Sequence, residues 1–129
     1  IGYSWPGAMK KARATEAIVR RQLAEAKLEY DEIHTEFLGY NSLLGDLADD
    51  SQIEALNEVY LKMSVRAKDR RLAEAFPRQF PWLALSGPPT ASGFSGIEPA
   101  RQLLGRWPTL VRRDLVEPEV KVSLQETAL

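Results

Sequence analysis

The residue types best suited to chemistry gather in one stretch, SGPPTASGFSG, from Ser86 to Gly96. Glycines and hydroxyls of this kind can cradle a phosphate, because such loops aim successive backbone N–H groups and a helix N-terminus at the anion. This loop meets the requirement in part. Pro88 and Pro89 have no N–H to give, the glycine-lysine-serine/threonine ending of a P-loop is absent, and the glycines do not form the dinucleotide fingerprint. The stretch can still offer Ser86, Gly87, Ser92, Gly93 and Ser95 to an anion such as a pantetheine phosphate or a carboxylate. It holds no lysine, so a balancing cation would come from Arg101, Arg106 or another part of the protein. The competing reading is a structural loop in which Gly and Pro shape turns.

Other reactive types are sparse. His34 is the only histidine and there is no cysteine, which excludes two-histidine metal sites, thiolate ligands and cysteine nucleophiles built within the chain. Asp46, Asp49 and Asp50 carry the carboxylates that hard cations favour, but the EF-hand spacing is missing, and they read as a solvated acidic loop. Neither a metal nor a cofactor is expected. Lys10, Lys11, Arg13, Arg20 and Arg21 form a basic run that reads as a solvated helix face. The 17 basic residues nearly balance the 18 acidic ones, whereas nucleic-acid binders concentrate positive charge. Nucleic acid is not an expected partner.

The elements that must position these residues follow from hydrophobic period. Ala8, Ala12, Thr15, Val19, Leu23 and Ala26 recur at spacings of three and four, which predicts a helix over 8–27 after the breakers Pro6 and Gly7. Ile33, Thr35 and Phe37 alternate with His34 and Glu36, the two-residue period of a half-buried strand. EVYLKMSVRAK is a clearer strand, with Val59, Leu61, Met63, Val65 and Ala67 on one side and Tyr60, Lys62, Ser64 and Arg66 on the other. The acidic segment between the two strands is too long for a tight hairpin and reads as an ordered loop. Asp69 caps a second helix with Leu72, Ala75, Phe76 and Phe80 as its stripe, kinked or broken at Pro77. WLALSG reads as a buried strand ending at Gly87, and GYSW as a short first strand.

The resulting order, strand-helix-strand-strand-helix-strand, predicts an α+β fold of the ferredoxin-like, split βαβ kind, with both helices on one face of an antiparallel sheet. Residues 1–87 would form that domain. Residues 88–129, rich in Pro and Gly, would be its loop and an extended wrapping tail, with at most a short helix near Ala100 to Leu104. A chain of 129 residues can bury a real core as one domain. No apolar run approaches the roughly 20 residues of a membrane span and no signal-peptide layout is present, so the expectation is a cytoplasmic protein without a membrane partner. The chain opens on Ile1 and its first methionine is Met9, which reads as a piece of a longer polypeptide.

A sheet with both helices on one face leaves the other face open. RNA-binding sheets of this class use clustered aromatics, but Tyr60 stands nearly alone. His34, Leu38, Tyr60, Lys62 and Arg66 on that face are therefore expected to form an interface with another domain or subunit, in a homo-oligomer or against a missing N-terminal domain.

Five stretches in order, GYSWPGAMKKARATEAIVRRQL, EFLGYNSLLGD, EVYLKMSVRAKDRRLAEAF, LALSGPPTASGFSG and WPTLVRRDLVEPEV, resemble the C-terminal portion of the large conserved domain in the acyclic terpene utilisation protein A family. The resemblance covers nearly the whole chain. It implies a much longer bacterial or fungal cytoplasmic protein, associated with breakdown of citronellol- and geraniol-like terpenes through acyl-CoA chemistry. It carries no catalytic residue over. The matching positions, among them Trp5, Pro6, Gly7, Gly39, Ser42, Gly45, Ser86, Gly87, Pro88 and Gly93, are mostly small or turn-forming. Two roles remain: a non-catalytic assembly or docking domain, or one wall of an enzyme site for a terpenoid acyl-CoA or related acid, with 86–96 closing on its anionic group.

Overall fold

In the computed structural model, which describes residues 1–93 and 97–123, the small-residue period at the start of the chain becomes a long helix. A short strand, β1 (Gly2–Ser4), precedes it, and Gly7 at φ 68° turns the chain into α1 (Ala8–Glu25). Ala8, Met9, Ala12, Thr15, Val19 and Leu23 form its buried stripe. The helix stops two residues before the expected Lys27. Lys27 takes φ 54°, its N–H bonds Ala24 O at 3.1 Å, and the Leu28 N–H bonds Leu23 O at 2.9 Å. That pair of bonds is a Schellman end with lysine where glycine is usual.

The alternating stretches pair as the sequence predicts. β2 (Glu32–Leu38) runs antiparallel to β3 (Glu58–Arg66), with Phe37 opposite Leu61, Thr35 opposite Met63 and Ile33 opposite Val65. These residues share the face that meets α1, where the Arg20 guanidinium donates to Thr35 Oγ1 at 3.1 Å. Val59 and Leu61 are buried, while Met63 and Val65 are half-buried, so the cover thins along β3. At the centre Tyr3 and Thr15 are fully buried. Thr15 Oγ1 donates to Lys11 O at 3.0 Å, which leaves its oxygen to accept from the Tyr3 hydroxyl at 2.5 Å.

The acidic segment between β2 and β3 is ordered, as expected, into two 3-10 turns, Gly45–Leu47 and Asp50–Ala55. Asp49 caps the second by accepting from Ser51 N at 2.8 Å. After β3, Asp69 caps α2 (Arg70–Ala75) through Arg71 N at 2.8 Å. The expected break at Pro77 is a 3-10 turn, Phe76–Gln79.

Two expectations are corrected beyond that point. Trp82 to Gly87 is not a strand: it folds as α3 (Leu83–Ser86), with Ser86 N–H on Trp82 O and Gly87 N–H on Leu83 O, both at 2.9 Å. A four-residue apolar run, Trp82 to Leu85, fits a buried helical turn as well as a strand, and here burial of Leu83 decides. A Cβ at Gly87 would stand 2.3 Å from Leu83 O, so glycine lets the chain close tightly over this turn. The fourth strand is β4 (Ala91–Ser92), and the strands lie in the order β2-β3-β1-β4, each antiparallel to its neighbour. The short helix expected near Ala100 to Leu104 does not form. The tail instead carries α4 (Arg113–Val116) and a 3-10 turn, Glu117–Glu119, and residues 101–123 are exposed.

Candidate surface on the outer face of the sheet

Side chains on the sheet face away from α1 come from alternate positions of all four strands. Register places Ser92, Gly2, Tyr60 and Leu38 in one row across β4, β1, β3 and β2. Tyr60 can lie low over the row because Gly2 has no side chain: a Cβ there would stand 2.8 Å from the Tyr60 ring. Tyr60 is 41% exposed and Leu38 38%. Ser92, read from the sequence as part of an anion loop, thus sits on the same surface as the interface residues Tyr60 and Leu38.

The rows beyond are polar. Lys62 stands 2.8 Å from Glu36, and its hydrogen bond holds the Glu36 carboxyl below the usual carboxylate range, with His34 3.9 Å away adding to the effect. Arg66 pairs with Glu32 at 3.5 Å. The five expected interface residues therefore do share one face, but Lys62 and Arg66 already have carboxylate partners. Around the edge of this face runs a groove of about 660 Å³, lined by Leu38 and Tyr60, by Met63, Val65, Phe76 and Phe80 from the helix side, and by residues 97–101.

The loop residues are less convergent. The N–H groups of Ser86 and Gly87 are used inside α3, Ser92 belongs to β4, and Gly93 is exposed at φ 59°. Ser95 lies outside the described residues. What sequence reasoning missed is Lys11. Its ammonium donates to Thr90 Oγ1 at 2.7 Å and to Ser4 O at 3.1 Å, tying the loop to α1. Lys11 lies in the basic run of α1, where spacing alone gives no sign of which lysine reaches another element.

In the acidic loop the carboxylates Asp49 and Asp50 accept hydrogen bonds from residues of the same connection. The Tyr40 hydroxyl donates to Asp50, which raises the phenol above its ordinary range, and Ser51 holds Asp49 below the usual carboxylate range through its hydroxyl and N–H. Among the described residues no cluster of three potential metal ligands occurs. No described helix is long and apolar enough to cross a membrane.

Fold and surface together define a mixed α/β domain whose antiparallel sheet is covered by α1 on one face and carries an uncovered row on the other. A family model described as acyclic terpene utilisation family protein AtuA matches residues 1–122 of the 129, and the chain belongs to that family. No curated protein and no solved structure matches it.

Proposed function

We propose that this chain is a non-catalytic docking domain of a cytoplasmic protein in acyclic terpene catabolism, built as a ferredoxin-like split βαβ sandwich. The fold reading is supported by the strand order β2-β3-β1-β4 with every neighbour antiparallel. The docking reading rests on one observation: the row Ser92, Gly2, Tyr60 and Leu38 presents a partly exposed aromatic and a leucine on the face that α1 does not cover. Its partner is a neighbouring domain of the longer polypeptide that the family resemblance implies. Tyr60→Glu tests this, because a carboxylate is tolerated in water and costly in an interface. It should lower the melting of the longer polypeptide by clearly more than that of the chain alone, where only the packing of the ring on Gly2 is lost. An equal change in both settings counts against the reading.

Lys11 favours a second reading, in which the chain forms one wall of an enzyme site and the 86–96 loop meets the anionic group of a terpenoid acyl-CoA or related acid. A lysine joined to Thr90 supplies the cation that the loop itself lacks. Calorimetry with coenzyme A should then show binding by the longer polypeptide that Lys11→Met weakens about tenfold, the scale of a lost charge-assisted hydrogen bond. Absence of binding, or indifference to the substitution, removes this reading.

A further inference from the structure

Two exposed segments have complementary chemistry. Residues 41–57 carry Asp46, Asp49, Asp50 and Glu54 and no lysine or arginine, and residues 99–113 carry Arg101, Arg106, Arg112 and Arg113 and no acid. Each also holds large apolar side chains in water. Leu43 is 96% exposed and Leu47 85% in the first; Trp107 is 93% exposed in the second, beside the exposed Leu103, Leu104 and Leu110. Apolar runs of this size at a surface mark interaction sites.

Among the described residues no ion pair involves the four carboxylates. On the arm, Arg101, Arg112 and Arg113 pair with Glu98, Asp114 and Glu117, acids close by in sequence. Such pairs in water contribute little and exchange readily, so they do not hold the arm back from a better partner. The exposed, acidic leucine turn and the basic arm are opposite in charge and alike in apolar character, the two conditions for a selective contact.

We propose that residues 99–113 of one copy lie on residues 41–57 of a second copy, and reciprocally. Each copy owns one arm and one acidic leucine turn, so a two-fold pair makes both contacts at once. Trp107 and Leu110 cover Leu43, Leu44 and Leu47, while Arg106 and Arg112 face Asp46 and Glu54. Only the start of the arm, residues 99–101, lines the groove beside Leu38 and Tyr60; the contacts proposed here run from Arg106 to Arg112 and do not use the outer sheet row, so the inference does not depend on the docking role proposed above.

Sedimentation equilibrium of the chain tests it. A dimer should form with rising concentration and weaken as salt approaches roughly 1 M, where the Debye length is about 3 Å. Trp107→Ala and Leu43→Ala, both at exposed positions that leave the fold intact, should each raise the dimer dissociation constant about tenfold or more. Tyr60→Glu should leave it unchanged. Because the chain has no cysteine, Leu43→Cys and Leu110→Cys chains can be mixed and oxidised, and a disulfide between the two variant chains is expected. A chain that stays monomeric overturns the proposal, as does a dimer indifferent to Trp107→Ala and Leu43→Ala. A double variant that closes only on itself at every concentration places the arm on its own chain, and overturns it as well.

Discussion

The Tyr3–Thr15 contact sits where side chains have no access to water, so it permits a sharp test of how the core is held. Both residues are fully buried, and Thr15 Oγ1 gives its hydrogen to Lys11 O while accepting from Tyr3. Thr15→Val keeps the side-chain shape and strands the phenol without a partner, which should cost about 1–3 kcal/mol. Tyr3→Phe removes the same bond but leaves the Thr15 donor engaged, so its cost should be near 1 kcal/mol. In the double variant both partners are apolar and nothing is stranded. It should therefore be no less stable than Thr15→Val alone, a coupling of about 1 kcal/mol between the two sites. Urea denaturation followed by circular dichroism measures all four proteins. If the double variant loses the sum of the two single losses, to within about 0.5 kcal/mol, the hydrogen bond is not what couples them and the reasoning fails.

The remaining predictions concern the helix end and the acid limb. Lys27→Gly relieves a left-handed residue, which costs about 1–2 kcal/mol, and gives back part through the freer unfolded chain, about 0.4–1 kcal/mol. A net gain of about 0.5–1 kcal/mol should appear as a higher melting temperature; a loss would mean that the Lys27 side chain itself anchors the turn. Glu36 has a depressed folded pKa, so its contribution is present above the ordinary Glu value and lost as pH falls through the folded one. Glu36→Gln should therefore flatten the stability profile in that acid window and leave the slope near neutrality unchanged, as read from melting temperature against pH.

How much of this architecture was legible depends on the length of the repeating signal. α1 and β3 each carry four or more small or apolar residues in phase, and period alone places both. β2 shows the same period, while its register is visible only in the structure; it keeps Phe37 and Ile33 on the α1 face, which a one-residue slip would turn to water. β4 has two residues, too few to show any period, so the apolar run before it took its place in the sequence reading. Helix α3 won that run because Leu83 reaches the core from a helical turn while Gly87 allows the backbone to close behind it. The end of α1 was missed by two residues because lysine gives no warning of a left-handed conformation.

The site was legible as two lists of residues and not as one surface. Sequence spacing along β3 placed Tyr60, Lys62 and Arg66 together, and spacing along the loop placed Ser92 near Gly93; neither spacing relates β3 to β4. The link is β1, which stands between those strands: Gly2 and Tyr3 pair with both, and Ser4 with β3 alone. Gly2 is the joint of that link. On one side it faces Tyr60 and on the other Ser92, and a side chain there would meet the Tyr60 ring at 2.8 Å and Ser92 Oγ at 3.0 Å. A short strand that begins with glycine thus does more than complete the sheet: it brings the Tyr60 ring and the Ser92 hydroxyl to either side of one residue, on the face that α1 leaves open. A partner recognising that row would meet an apolar end at Leu38, a ring at Tyr60 and a hydroxyl at Ser92. The ion pairs of the rows beyond are satisfied among themselves, so the selective part of the contact falls on these three side chains.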